Sequence, residues 1–83
     1  MSMIEKLNRR ATLFGRMLER LEVDVDQAAR SQAFGLSART CIFCPNATDC
    51  AEWFAEGAHG NAYRQFCPNA RRIEGMPQRH LRA

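Results

Sequence analysis

Four cysteines constrain this 83-residue chain more than anything else in it: Cys41-Ile42-Phe43-Cys44, then Cys50, then Cys67, a spacing of C-x2-C-x5-C-x16-C. A chain so short buries only roughly 60–65% of the surface it exposes when unfolded, so its apolar core alone is marginal. Small scaffolds therefore recruit a staple: disulfides, a metal or a partner subunit. Four cysteines supply either two disulfides or one four-ligand site. No apolar run approaches the roughly 20 residues of a membrane helix. The first ten residues, Met1 to Arg10, hold no apolar h-region, so no secretory leader is expected. These two readings predict a cytoplasmic protein, where thiols stay reduced and structural disulfides are rare. That compartment favours a metal.

The surroundings of the cysteines sharpen this expectation. Phe43-Cys44-Pro45-Asn46-Ala47 and Phe66-Cys67-Pro68-Asn69-Ala70 are the same five residues in the same order. In such a turn Phe is expected to anchor in the core and Cys to end it as a ligand. Pro fixes φ and removes a donor, ending the preceding segment. Asn46 is expected to support the following turn through its own side chain, and Asn69 to cap the next helix. The CxxC pair offers two sulfurs from one turn. Cys50 falls in the first turn of a helix, where N–H groups and the positive dipole end favour a thiolate. Cys67 returns from the far side. Four thiolates converging on one point suit zinc or an iron–sulfur cluster. The expected shell around them is Phe43, Pro45, Trp53, Phe66 and Pro68, with Phe54 and Tyr63 adding to it. The bland alternative is two Phe-Cys-Pro turns that pack apolar residues around inert buried thiols.

The rest of the chain reads as all-α, a single small helical domain over residues 1–83. Ser2 is the expected N-cap of an amphipathic helix over 2–22, whose Ile4, Leu7, Ala11, Phe14, Leu18 and Leu21 fall at alternating three- and four-residue steps. Met3, Leu13 and Met17 broaden the stripe. Its bland role is a core helix. Its sharper one is docking of a partner protein, or self-association, through Ile4, Leu7, Phe14 and Leu18. Glu5 with Arg9, and Arg16 with Glu19, suit a solvated face. Asp24 and Gln27 form a capping box for a second helix, which Gly35 is placed to end. Ser37 is expected to cap a short turn into Cys41. Thr48 is expected to cap a third helix over 49–56, closed by Gly57, with a loop over 57–61. Asn69 starts a last helix through Glu74, closed by Gly75. Residues 76–83 read as a frayed basic tail. No period-2 alternation is sustained, so no strand is expected.

Which metal the site takes is the harder question. Structural zinc sites often pair two CxxC knuckles, whereas this chain has one and two single cysteines. The C-x2-C-x5-C part resembles the tail of the cluster loop in endonuclease III-like DNA glycosylases, which carry a four-iron (4Fe-4S) cluster. There the fourth cysteine precedes the run, and here it follows. Gly15-Arg16-Met17 in the amphipathic segment, the cysteine block followed by Trp53, and the closing Phe66-Cys67-Pro68-Asn69 resemble a family of small four-cysteine bacterial proteins of unknown function from alphaproteobacteria. The resemblance covers nearly the whole chain. It implies that Cys41, Cys44, Cys50 and Cys67 match a four-cysteine pattern, and it supplies no activity or cofactor.

Charge excludes some classes. Residues 1–40 carry seven Lys or Arg against five acids, 41–66 one against three, and 67–83 four against one, for a net +3. A nucleic-acid binder shows a stronger basic stripe, so nucleic acid is not the expected partner. The tail cluster Arg71, Arg72, Arg79 and Arg82 reads as a solvated face. His59 and His80 read as exposed. Glu52 and Glu56 form a solvated i,i+4 pair. No catalytic constellation stands out, and the CxxC lacks the βαβ setting of a thioredoxin-like dithiol. The chain is thus expected to be no enzyme but an iron–sulfur accessory protein, redox or iron-responsive. The alternative is a zinc-stapled interaction module holding one Zn2+. A nucleic-acid-binding or disulfide-stabilised protein ranks third.

Overall fold

Ser2 opens the first helix as the sequence predicts. Its hydroxyl accepts from the Glu5 N–H at 3.2 Å while the Glu5 carboxylate accepts from the Ser2 N–H at 3.4 Å, a reciprocal cap. The computed structural model describes residues 2–79. Helix α1 spans Met3–Arg20, α2 Val25–Ala28, α3 Gln32–Ile42, α4 Ala47–Ala55, α5 Tyr63–Phe66 and α6 Ala70–Glu74. Among the described residues there is no strand; Val23 and Gln78 form an isolated antiparallel bridge. The fold is all-α.

The core forms where the second half of α1 meets the other helices. Leu13, Phe14, Met17 and Leu18 are buried there against Trp53 and Phe54 of α4, Tyr63 of α5, and Ala70 and Ile73 of α6. Phe14 and Phe34 stand edge to face at 5.5 Å and fix α1 on α3. Trp53 is the aromatic hub, with ring centroids of Phe54, Tyr63 and Phe66 at 5.0, 5.4 and 6.0 Å. Its indole N–H donates to the His59 carbonyl at 3.1 Å, which ties the 57–62 loop to α4. Arg20 closes that loop from α1, donating to the carbonyls of Ala58 at 2.9 Å and Gly60 at 3.2 Å. Gly57 leaves α4 at φ +102°, a conformation open to glycine and strained for other residues.

Several local expectations are corrected by this packing. The amphipathic stripe is divided: Phe14 and Leu18 are buried, but Ile4 is 70% exposed and Leu7 40% exposed, because α1 outruns the body it packs on. Gly35 does not end a helix. The second helix stops at Ala28, and Ser31 caps α3 by accepting from the Phe34 N–H. Ser37 lies mid-α3 and fully buried rather than at a cap. Thr48 lies inside α4, whose N-cap is Asn46. Residues 76–79 are not frayed. Met76 is buried, the Pro77 carbonyl accepts from the Asp24 N–H at 2.8 Å, and the Arg79 N–H donates to the Glu22 carbonyl at 2.8 Å. The remainder of that segment, with His80 and Arg82, lies outside the described residues.

Candidate metal centre

Each pentapeptide builds the same local device. Proline after the cysteine carries no N–H, so the next free donor of the turn belongs to Asn. The Asn46 N–H donates to Cys44 Sγ at 3.4 Å. At the equivalent place in the second turn, the backbone N–H groups of Asn69 and Ala70 lower the Cys67 thiol by their proximity, the Ala70 N–H itself donating to the Cys67 carbonyl at 3.2 Å. Backbone donors aimed at sulfur favour the thiolate, the form that binds metal.

The asparagine side chains do something the sequence did not suggest. Neither caps the helix that follows it. Asn46 instead donates to the Phe66 carbonyl at 2.6 Å, joining the first pentapeptide to the second. Asn69, 2% exposed, donates to the Ser37 carbonyl at 2.7 Å and accepts from Arg72 at 3.0 Å, joining the second pentapeptide to α3. These two cross-links hold Cys44 and Cys67 in register with each other and with Cys41 at the end of α3.

The four cysteines are free thiols, Cys44 buried and the others half-buried. All four line one cavity of about 20 Å³, room for about one water. Leu13, Phe14 and Met17 of α1 and Ile73 of α6 form its apolar wall, and Arg10 is the one charged side chain on it. Among the described residues no three His, Cys, Asp or Glu side chains stand close enough together to hold a metal ion. Zinc–sulfur bonds of 2.3 Å require tetrahedral ligand sulfurs to lie about 3.8 Å apart. The four expected ligands thus share one apolar space, without forming a metal-holding group among the described residues.

Burial holds three of the thiols, Cys41, Cys50 and Cys67, toward their uncharged form. Burial pushes the Cys41 thiol up to about 11, with Cys44 and Cys67 acting in the same direction and Arg10 opposing. Burial pushes Cys50 up to about 12, reinforced by the other three cysteines and opposed by Arg16. Burial raises Cys67 as well, against its backbone donors. The helix-dipole lowering anticipated for Cys50 is thus outweighed by desolvation and mutual repulsion.

Of the expected shell, Phe66 and Pro68 line the cavity. Trp53 stands behind Phe66 as part of the core. Phe43 is 76% exposed and does not anchor its turn, because Cys44 rather than Phe43 faces inward there. Pro45 is exposed as well. The sequence reading missed the cavity roles of Leu13, Met17, Ile73 and Arg10. Arg10-Leu13-Phe14-Met17 at i, i+3, i+4, i+7 is the helical signal that gathers three of them.

Fold and site together define a small all-α domain closed around a four-thiol cavity. The chain belongs to a family of unknown function (DUF6455), whose family model matches residues 1–79. No curated protein and no solved structure shows significant similarity to it.

Proposed function

We propose that the chain is an iron–sulfur accessory protein of the cytoplasm, redox or iron-responsive, with Cys41, Cys44, Cys50 and Cys67 as the ligands of one cluster. On this reading it is one of the small alphaproteobacterial four-cysteine proteins that its sequence resembles. The observation that carries the proposal is that all four thiols line one cavity with apolar walls. The backbone donors at Cys44 and Cys67 support the same reading, since hydrogen bonds to ligand sulfur tune cluster potentials. The apolar wall supplies the dry surroundings such a group needs. No substrate pocket of its own is invoked; the protein acts by holding the cluster and meeting a partner.

The test is metal and acid-labile sulfide analysis with a visible spectrum, on protein purified without oxygen or added metal. Iron with sulfide and a brown colour is expected, and Cys67→Ser is expected to lose both. One zinc per chain and no colour would replace the cluster with the zinc-stapled module. Unchanged metal content in Cys67→Ser would remove the site.

A further inference from the structure

The overhang of α1 carries two kinds of side chain on two sides. Met3, Ile4 and Leu7 lie at i, i+1 and i+4, share one side of the helix and are all exposed. Lys6, Arg9 and Arg10 lie at i, i+3 and i+4 and share a second side, Lys6 and Arg9 exposed and Arg10 half-buried. These three cations line a groove with Ala47 and Thr48 at the start of α4. Helix α3 runs back along α1: near its start Phe34 meets Phe14, and near its end Cys41 Sγ donates to the Arg10 carbonyl at 3.5 Å. Phe43, two residues further on and exposed, therefore stands at the same end of the molecule as the overhang.

Charge divides along the same axis. With Arg39 in the last turn of α3, the overhang end sets Lys6, Arg9, Arg10 and Arg39 against two acids. These are Glu5, whose carboxylate accepts from the Ser2 N–H, and Asp49 in the first turn of α4. The groove at the other end of α1 is the reverse, lined by Glu19, Asp24 and Asp26 against Arg79. A net charge of only +3 conceals this division. Exposed apolar bulk follows the cations: Met3, Ile4, Leu7 and Phe43 stand at the basic end, and Val25 alone lines the acidic groove as an exposed large apolar residue.

We infer that this end is the docking surface for an anionic lipid bilayer, with the α1 overhang among the headgroups and Met3, Ile4, Leu7 and Phe43 reaching the acyl boundary. Among the described residues no helix is long and apolar enough to cross a membrane, so the contact is peripheral. Apolar side chains bordered by Lys and Arg on one helix are the pattern of helices that lie in the interface. The cations draw this end to negatively charged headgroups and leave the acidic groove at the far end. Shape selects a bilayer over an acidic protein. The exposed apolar side chains project from an overhang, for which a folded partner has to supply a fitted groove, whereas acyl chains close around any convex apolar surface. Neither group suffices by itself: a few apolar side chains bind weakly, and the electrostatic attraction makes the contact stable. The inference stands whatever the thiol cavity holds.

The experiment is co-flotation of the full chain with vesicles at several ionic strengths. One set is phosphatidylcholine alone and the other an equal mixture of phosphatidylcholine and phosphatidylglycerol. The chain is expected to float with the anionic vesicles, less so as salt rises, and to stay behind with the neutral ones. Each cation beside an anionic surface contributes about fivefold to partitioning, so Lys6→Gln/Arg9→Gln should lower it by about 25-fold. Met3→Gln/Ile4→Gln should lower it several-fold, and Phe43→Ala tests the second element independently in the same direction. All five positions are exposed, and thermal melts that match the parent's show that each variant keeps the fold. No flotation, or equal flotation with both vesicle types, would overturn the bilayer surface. So would a parental level of flotation in either double variant. Duplex DNA binding lost in Lys6→Gln/Arg9→Gln, or a dimer in solution lost in Met3→Gln/Ile4→Gln, with no vesicle binding, would give the surface to nucleic acid or to a second copy instead.

Discussion

Replacing Asn69 with Ala should weaken the fold through one identifiable cross-link. Asn69 is 2% exposed, and its amide donates to the Ser37 carbonyl at 2.7 Å from a site that water does not reach. Ser37 also belongs to α3, so its carbonyl keeps a helical partner four residues on, and the loss is one hydrogen bond rather than a wholly orphaned acceptor. A net hydrogen bond contributes about 1 kcal/mol, and the space left by the amide adds a packing loss, for a total of about 1.5–3 kcal/mol. For a domain of this size that lowers Tm by roughly 6–24 °C. The backbone N–H groups that lower the Cys67 thiol survive the substitution, so the thiol keeps them. Urea and thermal melts by circular dichroism, with Trp53 fluorescence as a second probe and metal content matched, measure the difference. Asn46→Ala, whose bond to the Phe66 carbonyl is only partly buried, should cost less, about 0.5–1.5 kcal/mol. A loss under about 0.5 kcal/mol for Asn69→Ala, the scale of an ordinary surface change, would refute the reasoning.

Three further outcomes follow from single features. Ser37→Ala should stabilise the protein by up to about 1 kcal/mol, since the Ser37 hydroxyl is buried with no hydrogen-bond partner among the described residues; a destabilised variant in the same urea melts would show that the hydroxyl is satisfied. Gly57→Ala should cost about 1–3 kcal/mol because φ is +102° there, and a melt unchanged from the parent would mean that the loop relaxes. The Tyr63 hydroxyl donates to Glu74 at 2.6 Å and, with Arg64 beside it, holds the Glu74 carboxyl below the usual carboxylate range. A depressed folded-state value contributes stability that is present above the unfolded value, about 4.3 for glutamate, and is lost as pH falls through the folded one. Glu74→Gln should therefore flatten the acid limb of the stability–pH curve below about pH 4.3, and an acid limb as steep as the parent's would count against the pairing.

Short-range chemistry was legible in the chain. The period of α1, the Ser2 cap, the Asp24 cap with its bond from the Gln27 N–H, the Gly57 exit and the absence of strands all follow from groups within four residues of one another. The repeated pentapeptide also announced that Cys44 and Cys67 sit in equivalent turns, because a proline after each cysteine dictates where the next donor falls. What misled the reading were positions whose local and distant options compete. Asn46 suits a local turn and Asn69 a helix cap, yet their amides find carbonyls 20 and 32 residues away, and a bond shielded from water is rewarded more than one at a solvated helix end. Gly35 reads as a stop but sits on an exposed helix face, where it costs about 1 kcal/mol and stops nothing.

The sequence by itself determined the all-α class, the start of α1, the cysteine spacing and the small size that makes a staple useful. Tertiary structure alone decided which half of α1 is core and which half is surface, because the stripe is continuous in sequence and only the body's extent truncates it. It alone turned Phe43 outward and Phe66 toward the cavity, although the two occupy the same place in identical pentapeptides. It alone set four thiols around one space with Arg10 at the edge, since residues 10, 41, 50 and 67 meet only when α1, α3, α4 and the second turn pack together. Spacing along a chain counts residues, whereas the separation of sulfurs across a cavity is fixed by how helices pack.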